Sequence, residues 1–210
     1  MDFTSSPVQE PCPEVNIQSF VRHQMEPLDS HWFALKVFYN QVIKLKQKLE
    51  QADCRTYLPM TLVEECRLGR IRKVEKPLIS GLLFVQTTEP FIVDFKSRHD
   101  DKFLIYGEPG HKGGPHKPLA IPDDEMRSFI ILTSQYGQDG SQAELLGIDM
   151  TDISQYRKGE RVRITGGIYK GAEGVIRKIR SDRKFVVVVQ GVAVVGVSRI
   201  PQAYIEKITD

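Results

Sequence analysis

Residues 161–176 constrain this chain more than any other stretch. They read Arg-Val-Arg-Ile-Thr-Gly-Gly-Ile-Tyr-Lys-Gly-Ala-Glu-Gly-Val-Ile. Val162 and Ile164 alternate with Arg161 and Arg163, the two-residue period of a half-buried strand. Gly166, Gly167, Gly171 and Gly174 then supply the backbone freedom of a turn. Further on, the valine-rich runs 184–189 and 192–197 flank Gln190-Gly191, a tight-turn dipeptide. From residue 157 onward every element reads as a strand, which predicts a small closed barrel. Closure also hides the edges that such a run of valines exposes.

The rest of the chain is of a different class. His31–Phe38 reads as a strand, and Val42, Leu45, Leu49 and Ala52 recur at helical spacing. Residues 56–63 return as a strand. Residues 64–76 are charged and fit a projecting hairpin with its tip near Leu68-Gly69-Arg70. Pro77–Val85 reads as the central strand, with Leu83 and Val85 on one face and Leu82 and Phe84 on the other. A helix over 91–97, a short strand over 103–106, a glycine- and proline-rich loop over 107–118 and a helix from Asp123 to about Ser134 complete it. The expected architecture is α+β: an antiparallel sheet with helices on one side, followed by the all-β barrel.

Charge divides the chain in the same places. Residues 1–30 hold one basic and five acidic side chains, 31–134 hold 16 and 13, 135–155 hold none and four, and 156–210 hold 12 and five. The expected organisation is a mobile arm (1–30), a first module (31–134), an acidic linker (135–156) and a second module (157–210). Basic modules favour polyanions or acidic protein surfaces as neighbours. Cys12, Cys54 and Cys66 are unclustered, the pattern of reduced thiols in a cytoplasmic protein. No apolar run is long enough for a membrane span, so no membrane partner is expected.

Catalysis finds little support. The glycines of 166–174 are followed by neither a G-K-[ST] motif nor a helix, so they do not form a phosphate loop. His111 and His116 lack a third metal ligand. No enzyme activity, metal or cofactor is expected.

The two modules carry a resemblance. Residues 161–176 resemble the KOW motif. Residues 31–134 resemble the NGN domain of the NusG family through His31-Trp32-Phe33, Tyr57-Leu58-Pro59, Glu75–Val85 and Ile121–Glu125. Glu75–Val85 is similar to the family's K-P-L-F-P-G-Y-V-F-V stretch, with Ser80 at the second proline and Leu82 at the tyrosine. These departures, the long loop and the arm look more like the specialised RfaH or UpxY-type antiterminators of capsular polysaccharide operons. The resemblance implies a monomeric transcription elongation and antitermination factor. Its NGN domain sits on the β′ clamp helices of RNA polymerase near the DNA of the elongation complex. Its KOW domain recruits the ribosomal protein NusE or the termination factor Rho. The alternative is a KOW-type RNA- or ribosome-binding protein with no polymerase role.

Candidate residues follow from both lines. Leu82 and Phe84, with Phe103, Ala34 and Ile121, are expected to form an uncovered apolar sheet face for polymerase, since aromatic anchors dominate such interfaces. Ordinary core is the alternative for the same residues. Arg67, Arg70, Arg72 and Lys73 on the hairpin are expected to meet nucleic acid, because phosphate attraction needs only charge and reach. Ile168 and Tyr169, apolar residues between glycines, are expected to contact the KOW partner; Tyr169 plugging the barrel end is the alternative. Arg161, Arg163, Lys170, Arg177, Lys178 and Arg180 read as a solvated face.

Overall fold

The computed structural model describes residues 29–67, 69–99, 102–108, 117–137, 143–148, 159–179 and 182–208. The expected arm lies almost wholly outside them, as do His111 and His116 of the long loop.

The first module runs β1 (His31–Val37), α1 (Val42–Gln51), β2 (Arg55–Tyr57), β3 (Met60–Arg67), β4 (Arg70–Pro77), β5 (Leu82–Thr87), α2 (Glu89–Ser97), β6 (Phe103–Ile105) and α3 (Asp123–Ser134). Its sheet has the order β2-β5-β1-β6 and is antiparallel throughout. The expected continuous strand 77–85 is broken. Pro77 ends β4, and Gly81 turns the chain with a φ of 73°. The Gly81 carbonyl accepts a 2.7 Å hydrogen bond from the Val37 N–H, which docks this turn on the end of β1.

Register explains the two cores. Phe33 pairs with Val85 and Leu35 with Leu83, while Ala34 pairs with Phe84. Paired residues share a face. Phe33, Leu35, Leu83 and Val85 therefore pack under Leu45 and Leu49 of α1 and Ile92 and Phe95 of α2. Trp32, Ala34, Leu82 and Phe84 point the other way and meet Met126, Phe129 and Leu132 of α3. The helices thus lie on both sides of this sheet, not on one. The cause is plain in β5, whose six residues are all buried: a strand apolar on both faces needs a cover on each.

The hydroxyl of Tyr57 also reaches α3, lying 2.6 Å from Thr133 Oγ1. Thr133 donates to the Phe129 carbonyl, which leaves Tyr57 as the donor to Thr133. Burial pushes the Tyr57 phenol above its ordinary range, and the bond to Thr133 opposes this only in part. The folded chain therefore holds the phenolic proton more tightly than the unfolded chain. The associated stability is present below about pH 10 and is lost as pH rises through the folded value. Tyr57→Phe is expected to flatten the fall in denaturation midpoint between about pH 9 and pH 11.

The second module is a six-stranded antiparallel sheet of order β12-β8-β9-β10-β11-β7. Its strands are β7 (Ala143–Ile148), β8 (Glu160–Ile164), β9 (Glu173–Ile179), β10 (Asp182–Val189), β11 (Ala193–Ser198) and β12 (Ile205–Lys207). β10 and β11 pair across the Gln190-Gly191 turn as expected. Two features differ. Among the described residues the ladder runs from β12 to β7 without a pairing between these two strands. And β7 comes from the segment read as an acidic linker, pairing along β11.

The modules are also not loosely tethered. One continuous apolar cluster runs from Phe84 and Phe129 into Val162, Tyr169, Ala172 and Phe185 of the second sheet. The Glu173 N–H donates to Ser128 Oγ at 2.9 Å across this boundary. The Ser128 hydroxyl in turn donates to the Asp124 carbonyl at 2.8 Å. α3 therefore lies between two sheets.

Candidate nucleic-acid and partner surfaces

The hairpin β3–β4 stands apart from the first sheet as a two-stranded ribbon. Its base is closed by the Leu78 N–H donating to the Pro59 carbonyl at 2.8 Å. Arg67 pairs with Arg70, and Gly69 between them takes a φ of 73°. The tip falls where the sequence places it.

Register sorts the hairpin's charges. Arg67–Arg70, Glu65–Arg72, Val63–Val74 and Thr61–Lys76 lie on one face. Lys73 pairs with Glu64 on the other, beside Cys66–Ile71. The structure thus brings Arg67, Arg70 and Arg72 together at the tip and separates Lys73 from them. Lys76 forms an ion pair with Glu65, the acidic group on the arginine face. All three arginines are exposed. Three guanidinium groups on one face of the hairpin tip concentrate the forked donors and positive charge that phosphate recognition uses.

The expected apolar surface is not a surface. Leu82, Phe84, Phe103, Ala34 and Ile121 are each at most 3% exposed. Leu82, Phe84, Ala34 and Ile121 gather beneath α3, while Phe103 lies on the opposite face of the sheet, packed on Phe95. α3 covers the face that a one-sided arrangement leaves open, and so these residues are core.

Ile168 and Tyr169 also part company. Ile168 is 50% exposed, whereas Tyr169 is 7% exposed and joins the core between the modules. The structure also sets the ring of Tyr204, 40% exposed, against Gly166 and Gly167 of the same turn. A Cβ built on Gly166 would stand 2.6 Å from that ring, so glycine is required there by close approach. Sequence reasoning missed Tyr204. The signal was the Gly166-Gly167 doublet, which marks a site where another group comes close. Ile168 and Tyr204 are thus both exposed, with Tyr204 packed on the Gly166-Gly167 turn that precedes Ile168.

Comparison with known proteins adds a likeness. The family model described as transcription termination factor NusG matches residues 30–130. A transcription termination/antitermination protein NusG from Borreliella burgdorferi is 29% identical over 128 residues, covering 60% of this chain and 65% of the relative. The similarity thus spans a little under two thirds of that relative's length. The protein of the same description from Thermus thermophilus is 23% identical over 166 residues, covering 72% of this chain and 84% of its own. The matched segment coincides with the first module, from the opening of β1 into α3. Residues 30–130, the first module, are thus similar to the NusG family.

Proposed function

We propose that the chain is a transcription termination/antitermination factor that binds RNA polymerase through its first module and a further protein through its second. The match of residues 30–130 to the NusG family model carries this reading. The clamp helices of β′ are the proposed polymerase contact. Leu82, Phe84, Ala34 and Ile121 support that contact from beneath α3 rather than touching it, and Phe103 lies in the other core. The surface available to a helical hairpin is then the side of α3 that carries Ile131, with Leu119 of the preceding segment next to the second module. The second module occupies that side, with Gly171 and Gly191 packed against Ile131 and Leu119. Polymerase engagement therefore requires the modules to part.

In this reading the arginine tip meets the nucleic acid of the elongation complex, and Ile168 with Tyr204 receives NusE or Rho. A specialised role of the RfaH or UpxY kind, for instance on capsular polysaccharide operons, is the finer form of the proposal. Its support is Ser80 and Leu82 in place of the family's proline and tyrosine, with the added length of 1–30 and 107–118.

The deciding experiment is in vitro transcription across a terminator with the cognate polymerase. The chain is expected to be retained on polymerase and to change readthrough. Absence of both, with RNA retained instead, would favour the RNA- or ribosome-binding alternative. The hairpin has its own readout. Replacing Arg67, Arg70 and Arg72 together by alanine is expected to flatten the salt dependence of nucleic-acid binding by about two to three units of log K per log salt. Lys73→Ala is expected to change it by less than about one unit. Equal slopes for the triple variant and wild type, measured by anisotropy across a salt series, would remove the tip from the interface.

A further inference from the structure

We propose that β7 is a releasable clasp, a strand lent to the second sheet by the segment between the modules, whose pairing holds that sheet against α3. Its regulatory consequence, control of access to the α3 surface, rests on the reading above; the clasp itself rests on geometry.

β7 is locally weak. Its sequence, Ala-Glu-Leu-Leu-Gly-Ile, lacks the β-branched and aromatic residues that favour strands, apart from its last position. None of its six residues is fully buried. A register shift opposite Val194 and Val195 leaves Leu146 as the extra residue of a bulge. Beyond its backbone pairing with β11, it packs Ala143 and Leu145 against the core that joins the modules, and two further side-chain contacts hold it. Leu146 lies over Gly196, where a built Cβ would stand 2.7 Å from its Cδ1. There it completes a small apolar cluster with Val186, Val194 and Val175. Glu144 forms an ion pair with Lys184, whose side chain is only 12% exposed.

The remainder of the sheet does not depend on β7 for its order. β11 pairs along its whole length with β10, so five strands remain when β7 leaves. What changes is reach. Eight residues (135–142) separate α3 from β7, but 25 (135–159) separate α3 from β8. At full extension these span about 28 Å and about 85 Å. With β7 paired, the second sheet stays near α3. Release lengthens the connection, and closing the larger loop lowers the docked population about fivefold.

Amide hydrogen exchange tests this in the full chain without polymerase. The Glu173 amide is a built-in reporter, since it donates to Ser128 across the module boundary. In one variant, Gly and Ser replace residues 143–148. In the other, Gly196→Val puts a side chain where Leu146 sits; position 196 is not in a left-handed conformation, and valine favours a strand. Both are expected to raise Glu173 exchange about fivefold, with β10 amides unchanged. Unchanged Glu173 exchange in the replaced chain overturns the proposal. So does loss of protection throughout β10, since β7 would then be an integral strand. Polymerase retention is read separately: its failure with faster Glu173 exchange sinks the function and leaves the clasp, and the converse sinks the clasp alone.

Discussion

Phe84→Ala is expected to destabilise the chain by about 3–5 kcal/mol. Phe84 is fully buried, with its ring centroid 5.2 Å from that of Phe129 and 6.4 Å from that of Tyr57. Truncation removes the ring that joins the first sheet to α3 and leaves a cavity that α3 can only partly fill. A domain has only about 5–15 kcal/mol in total, so the loss is a large share of it. Chemical denaturation checks this, with Ile168→Ala as the exposed control, expected within about 0.5 kcal/mol of wild type. A loss of polymerase binding in Phe84→Ala therefore reports unfolding, not a missing contact. A change below about 1 kcal/mol would mean that α3 does not cover this face.

Gly81→Ala is expected to cost about 2–4 kcal/mol, for two separable reasons. Its φ of 73° is one that L side chains rarely adopt. A Cβ there would also stand 2.5 Å from the Val37 carbonyl oxygen, a backbone atom that cannot swing aside. Gly69 separates the two terms. It has the same φ of 73°, but a Cβ at that tip meets nothing within 4 Å. Gly69→Ala is expected to cost about 1–2 kcal/mol, the conformational term alone. Denaturation midpoints for the pair give the steric term by difference. Equal losses would show that the turn at Gly81 relaxes away from β1.

Much of the fold was legible because it is written in local pattern. α3 begins at Asp123, after Pro122 and with three acidic residues in its first turn, as its sequence predicts. The alternation of Leu82 and Phe84 against Leu83 and Val85 holds in the two cores. The hairpin tip was readable because charged flanks around Leu-Gly leave few other turns. Its division into an arginine face and a Lys73 face was not drawn from sequence, though register alone produces it. β7 was illegible for a physical reason. Its residues neither alternate nor favour strands, and its neighbours in sequence are acidic; only the unpaired edge of β11 makes it a strand.

Taken alone, the sequence determined most of the strands, helices and turns, β7 and the break after Pro77 excepted, because side-chain period and glycine placement act over a few residues. It determined the basic tip and the two-module order for the same reason. Only the tertiary structure decided which apolar residues meet solvent. Phe84 and Tyr169 looked like contact residues until α3 and the second sheet were in place around them. Burial depends on what arrives from elsewhere in the chain, and the gain from removing apolar area from water is indifferent to sequence distance.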